Sequence, residues 1–177
     1  MIRNPLHTVR LVVPFHSGTL LLLLAIISTV QNMSIDSSSK EKLEQKIGEA
    51  LGLEVAAQKA VQELGSKGLL DEQGMKAKLD KMRKEASNHQ TKLEQLIQKL
   101  SQSQGLNSEN IQKSAEETEQ KVSQMMNTYL GEDPDSSEAI EFLCLAEGGE
   151  VTHYEVLSTM AVKKVKKNNS PLQSIRF

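Results

Sequence analysis

Apolar residues recur every three or four positions in four separate segments of this chain, and this spacing constrains the fold more than any other feature. In an α-helix such spacing places the apolar side chains on one face. Each segment is therefore predicted to be an amphipathic helix that buries that face against the others. The predicted helices span residues 40–64, 71 or 74–100, 109–130 and about 139–165, separated by breaks that contain glycine.

The composition agrees with a helical fold. Only 3% of the 177 residues are aromatic, and Trp is absent, which disfavours a β-sandwich or a β-barrel. The 38% apolar fraction is dominated by residue types that are good helix formers, and the length suffices for one domain with a core. We therefore expect an all-α domain over residues 40–177.

The first 33 residues differ from the rest. Arg3 and Arg10 precede an apolar stretch from Leu11 to Val30, in which residues 20–27 are almost all Leu, Ala and Ile. A membrane anchor or uncleaved signal, a cleaved export signal, and an upstream extension before a true start at Met33 all fit. The chain is predicted to be membrane-associated or exported in the first two cases and cytoplasmic in the third. Residues 34–39 form a polar linker.

Four charged or titratable residues fall on the apolar faces. Glu54 lies in the row of the first helix, His89 in that of the second, and Glu150 and His153 fill a gap in the row of the last. Burying such groups costs several kcal/mol unless something pairs with them, and a metal ion is a common partner. Glu85 precedes His89 by one turn, so that the two can bind one ion from the same helix face.

Each of these positions has an ordinary structural interpretation as well. Glu54 can lie at the edge of its row with its carboxylate in solvent, and a carbonyl or a water can satisfy His89. The pair Gly148-Gly149 interrupts the last helix, where it either lets another helix approach closely or marks a restart of the helix. A restart would make Glu150 a first-turn acid.

Several function classes lack their sequence signatures. There is no nucleophile elbow, P-loop, dinucleotide fingerprint or cysteine-based zinc motif. Acids and bases are interspersed, so no nucleic-acid partner is expected, and the lysines of residues 163–167 are interpreted as a solvated helix end. The single cysteine, Cys144, is predicted to be a buried thiol.

Two stretches of the chain resemble a known family. The segment EASNHQTKLEQLIQKL, from Glu85, resembles the second helix of the ferritin-like stress proteins of the YciF type, and EVTHYEVLSTMA, from Glu150, resembles their H-Y-E helix. The resemblance implies a ferritin-like antiparallel four-helix bundle with a dinuclear metal site and a stress-related role. The chain departs from the family at Thr152, where an acid is common, and it lacks the acids of the family's final helix, so that the bundle is expected to be C-terminally truncated.

The sequence therefore predicts a ferritin-like, metal-binding helical protein involved in oxidative stress or iron handling. The predicted ligands of iron or manganese are Glu54, Glu85, His89, Glu150 and His153. We also expect a homo-oligomer. Two alternatives remain open: a metal-free helical scaffold that has kept the fold and lost the site, and a membrane-tethered coiled-coil adaptor. No catalytic residue and no reaction is assigned.

Overall fold

Four α-helices and no strand make up the part of the chain that the structure, a computed structural model, describes: residues 37–70 and 75–168, with side chains described as far as Met160. The helices are α1 (Ser37–Ser66), α2 (Met75–Gln104), α3 (Ser108–Leu130) and α4 (Ser136–Asn168). The predicted all-α class is confirmed. The apolar stretch from Leu11 to Val30 lies outside the described residues, and among the described helices none combines the length and apolar character that a membrane span requires.

The helix ends follow local chemistry that the sequence predicted only in part. Gly68 and Gly105 have positive φ angles of 72° and 63° and end α1 and α2, since glycine adopts this conformation without a steric penalty. The amide of Leu106 reaches back to the carbonyl of Leu100. Helix α1 begins at Ser37, so the last three residues of the predicted linker are helical.

The caps of α3 and α4 are Asn107 and Asp135, each just before the serine that begins its helix. The Asn107 side chain accepts hydrogen bonds from the backbone amides of Glu109 and Asn110. At the start of α4, Asp135 accepts from two amides, and the Glu138 carboxylate accepts from the Asp135 amide in return. This reciprocal pattern is a capping box, with aspartate in place of the usual serine or threonine.

Helix α1 is the centre of the bundle. It packs against each of the other three helices, most extensively against α3, while the backbones of α2 and α4 stay apart within the described chain. Buried residues surround α1 on nearly all sides, which explains why its apolar pattern is less one-sided than that of α2. A polar residue on an enclosed side of this helix, such as Glu54, is therefore buried.

Two glycines allow α1 and α3 to approach closely. A Cβ atom at Gly48 would lie 2.4 Å from the carbonyl oxygen of Ile111, and one at Gly52 would lie 2.4 Å from that of Ala115. Both distances are well inside van der Waals contact, so only glycine fits at these positions. The close approach brings Ile111 and Ala115 into the core.

Two apolar clusters fill the bundle, one towards each end of α1. The first contains Ile47, Leu93 and Leu157, and the second contains Leu64, Met82 and Phe142. The stretch of α1 between them includes Glu54, which belongs to neither cluster. Glu54 therefore lies in a layer between two apolar ends, whereas the other buried acid of α1, Glu44, accepts hydrogen bonds from Asn107 and Asn110 near the start of the helix.

Three surface assignments differ from the sequence prediction. Cys144, predicted to be buried, is exposed. Helical spacing also predicts inward positions for Tyr129 and Val156, but these residues are 43% and 40% exposed. Each of these residues lies on the outer edge of its row, where neighbouring helices cover it only in part.

The glycine contact yields a stability prediction. Gly52→Ala is expected to destabilise the chain by about 1–3 kcal/mol, because the new Cβ forces the α1 and α3 backbones apart. Gly65→Ala is the matched control on the same helix, because a Cβ at Gly65 meets nothing within 4 Å. This variant is expected to be stabilised by about 0.5–1 kcal/mol, since alanine favours the helix over glycine. Urea denaturation of both variants measures the effect. Equal midpoints would show that the two helices do not depend on glycine at this contact.

Candidate functional site

The middle layer of the bundle gathers buried polar side chains from three helices. Glu54 of α1 is 0% exposed, His89 of α2 is 4% exposed, and Tyr154 and Glu150 of α4 are 1% and 4% exposed. Glu147, one turn before Glu150, is also buried. The predicted inward positions of Glu54, His89 and Glu150 are therefore confirmed as burial.

Glu54 joins the three helices. Its Oε1 lies 3.1 Å from Nδ1 of His89 and accepts a 2.5 Å hydrogen bond from the Tyr154 hydroxyl. The rings of His89 and Tyr154 meet edge to face, with centroids 6.1 Å apart. One carboxylate oxygen on the central helix thus positions an imidazole from α2 and a phenol from α4, whose backbones do not touch.

Burial raises the pKa of Tyr154 far above its ordinary value of 10, and the nearby Glu54 carboxylate adds to the effect. Its hydroxyl therefore keeps its proton and acts as a donor to Glu54. Burial also raises the pKa of Glu54, although the hydrogen bonds from His89 and Tyr154 oppose that shift. The layer therefore stabilises the Glu54 carboxylate only in part.

Glu150 lies in the least favourable electrostatic environment. Burial raises its pKa well above the ordinary 4.5, and the negative charges of Glu54 and Glu147 raise it further. Three carboxyl groups thus lie close enough to repel one another in a region from which water is excluded. Such an arrangement is costly without protons or a cation.

Three carboxylate oxygens are buried without a hydrogen-bond partner: Oε2 of Glu54 and Oε1 of Glu150 in this layer, and Oε2 of Glu85 on α2. Buried polar atoms in folded proteins nearly always have partners, so three together are informative. Within the described residues, however, the side chains do not bring three or more His, Cys, Asp or Glu groups into a metal-binding arrangement.

Glu85 lies at the margin of this layer. Its side chain is 28% exposed, and its Oε1 lies 3.7 Å from the ammonium group of Lys81 on the same helix. The predicted Glu85–His89 pair therefore shares a helix face, but only His89 lies fully within the core.

His153 does not join Glu150 in the core. Its Nδ1 lies 3.0 Å from the Gly149 carbonyl and its Nε2 lies 3.2 Å from Oε2 of Glu49 on α1. Partial burial raises the pKa of Glu49, but the charges of Lys46 and His153 outweigh this effect and hold the pKa below 4.5. His153 thus ties the edge of α4 to α1, and the predicted Glu150–His153 pair is split between the core and this edge.

Within the described chain, the glycine pair of α4 neither restarts the helix nor contacts another helix. Helix α4 runs without a break from Ser136 to Asn168, so Glu150 is not a first-turn acid. A Cβ atom at Gly148 or Gly149 would meet nothing within 4 Å, so no described helix approaches there. Glu150 is buried because of its place on the inner face of a continuous helix.

The sequence analysis missed Tyr154 and Glu147. Tyr154 follows Glu150 by four residues and Glu147 precedes it by three, so helical spacing alone puts all three side chains on one face. That signal was present in the sequence.

No protein-family model, no curated protein and no solved structure matches this chain. The resemblance to ferritin-like stress proteins therefore stays a prediction from two short motifs. The geometry of the middle layer is the remaining guide to function.

The raised pKa of Glu150 predicts a pH effect on stability. Below pH 4.5 the Glu150 carboxyl is protonated in both the folded and the unfolded chain. Above pH 4.5 the unfolded chain releases this proton while the folded chain retains it. The free energy of unfolding therefore falls as pH rises towards the folded pKa. Glu150→Gln removes the titration. Relative to wild type, this variant is expected to gain up to about 1.4 kcal/mol per pH unit above pH 4.5.

Urea denaturation of the chelator-treated chain between pH 4.5 and 7 tests this. The control is Glu155→Gln, because Glu155 lies on the same helix but is exposed. A stability difference for Glu150→Gln that stays constant with pH would contradict the prediction.

The Tyr154 hydroxyl is expected to contribute to stability through Glu54. Tyr154→Phe removes a buried donor to a carboxylate, which is expected to cost about 1–3 kcal/mol of unfolding free energy. Tyr129→Phe is the matched control: that hydroxyl donates to Glu141 at 3.0 Å, but both groups are exposed, so the loss is expected to stay below about 0.5 kcal/mol. Equal losses, measured as urea midpoints, would rule out a special role for the buried bond.

Proposed function

We propose that this chain is a ferritin-like metal-binding protein whose middle layer holds iron or manganese. The observation that carries the proposal is the group of buried carboxyl groups on α1 and α4, with partnerless oxygens on Glu54 and Glu150. Desolvating several acids side by side costs several kcal/mol, and a bound cation offsets that cost directly.

The types of donor favour these two metals. Carboxylates predominate, one imidazole is present, and Cys144 lies outside the layer on the protein surface. Oxygen donors with imidazole suit iron and manganese, whereas a structural zinc site would normally use thiolates. Bundles that bind two such ions draw glutamate and histidine from facing helices, as the polar layer here does.

The proposed ligands are revised from the sequence set. Glu54, Glu150 and His89 stay at the centre, Glu147 joins them, and Glu85 reaches the layer from its margin. In this proposal His153 is a bridge to Glu49 and not a ligand. Binding requires Glu54 and Glu150 to turn their partnerless oxygens, Oε2 and Oε1, towards a common point.

His89 and Tyr154 have supporting roles in the proposal. With Nδ1 directed at Glu54, His89 presents its other nitrogen, Nε2, as the donor to an ion, and the carboxylate fixes the orientation of the ring. Tyr154 holds the shared Glu54 oxygen in place from the other side. A bound iron or manganese would supply redox chemistry with oxygen or peroxide, consistent with a role in oxidative stress or iron handling.

Metal analysis of the purified full chain tests the proposal. After loading with Fe(II) or Mn(II) and desalting, about one to two ions per chain are expected by mass spectrometry, with a rise in melting temperature because the ion binds only the folded state. Glu150→Ala is expected to lose most of the metal and the thermal shift. Glu155→Ala, which removes an exposed acid from the same helix, is expected to retain both.

Fewer than about 0.2 ions per chain in wild type, unchanged by Glu150→Ala, would overturn the proposal. The metal-free helical scaffold would then be the better description. In that case Glu150→Ala is expected to raise the stability of the chain, since it removes a buried acid that has no function.

A further inference from the structure

The exposed large apolar side chains of the described residues lie on two neighbouring helices. Among the residues whose side chains the structure describes, the exposed large apolar ones are Met125, Tyr129, Leu145 and Val156, all of them on α3 or α4. The Tyr129 ring packs against Phe142, which fixes the level at which the two helices meet. One turn further along this antiparallel pair, Met125 and Leu145 fall at the same height.

On α4, the glycine pair lies between two of these residues. Leu145, Gly148, Thr152 and Val156 follow one another at helical spacing on the outward side, and we call this row the α4 face. Leu145 is 61% exposed, and a Cβ at Gly148 would meet nothing within 4 Å. Two glycines in mid-helix cost about 1 kcal/mol each against alanine, and no contact within the described chain explains their presence.

We infer that the α4 face is an interface with the α4 face of a second copy of this chain, in antiparallel orientation. The row is self-complementary about a twofold axis near residues 150 and 151. In that arrangement Leu145 faces Val156 of the second copy, and Gly148 lies within one residue of Thr152 of the second copy. Small residues at the centre let the two helices approach closely, with an apolar pair at each end.

The charge pattern along α4 favours this occupant and orientation. The first turns of the helix carry Glu138 and Glu141, while the sequence of its last turns carries four lysines within residues 163–167. Antiparallel pairing places the acidic start of one helix beside the basic end of the other. A parallel pair would align like charges along about 50 Å of helix.

Sedimentation equilibrium of the full chain tests the inference, with a dimer expected. Gly148→Gln fills the centre of the α4 face and is expected to raise the dissociation constant at least tenfold, whereas the fold is expected to stay intact since the space at Gly148 is open. Gly65→Gln is the matched control, because Gly65 is equally open but lies at the end of α1, and it is expected to leave the dimer unchanged.

Disulfide trapping tests the orientation, in a Cys144→Ser background. Thr152→Cys is expected to cross-link rapidly, because its counterpart in the second copy is offset by only about 5 Å along the axis. Thr159→Cys lies on the same side but is offset by about 26 Å, and it is expected not to cross-link. Cross-linking at both positions indicates parallel pairing and overturns the inference.

Two other results also overturn it. One is a wild-type monomer at about 100 μM, where even a micromolar pair would be populated. The other is an oligomer that Gly148→Gln leaves intact, which places the association elsewhere. A monomer in which the Thr152→Cys thiol resists alkylation would instead assign the α4 face to the chain's own apolar segment from Leu11 to Val30.

Discussion

The rest of this structure depends on the burial of Glu54 at the centre of the bundle. Helix α1 is enclosed by the other three helices, so an acid on its inner side has no access to water. The protein responds by directing His89 and Tyr154 to the same Glu54 oxygen from opposite helices. These bonds connect α2 to α4, whose backbones do not meet, so the polar layer is also a structural joint.

The glycines of α1 make that enclosure possible. Gly48 and Gly52 let the α3 backbone pack directly on α1, which closes one side of the central helix. The apolar clusters then fill the two ends and leave the acids together in the middle. Glu150 and Glu147 bring further negative charge to a site that already holds a buried carboxylate. The proposed cation would offset this negative charge.

Much of the fold could be predicted from the sequence, because helical periodicity and glycine breaks are local signals. The four segments were identified as helices, and Glu54, His89 and Glu150 were placed inwards as the structure shows. Errors arose at the edges of the apolar rows. His153 sits between the inner and outer faces of α4, and its direction depends on Glu49, about a hundred residues earlier in the chain. Cys144 also lies at the edge of the apolar row of α4; it was predicted to be buried and is exposed.

The sequence by itself determined the helices, their inner faces and the presence of acids on those faces, since each follows from residue spacing within one segment. Only the tertiary structure decided which polar residues meet. Tyr154 contacts Glu54, and His153 contacts Glu49 instead of the site. Both contacts depend on how three helices pack around α1, and that packing is set by side chains from distant segments. The tertiary structure also decided that no described helix packs on Gly148, which lies open on the outside of the bundle.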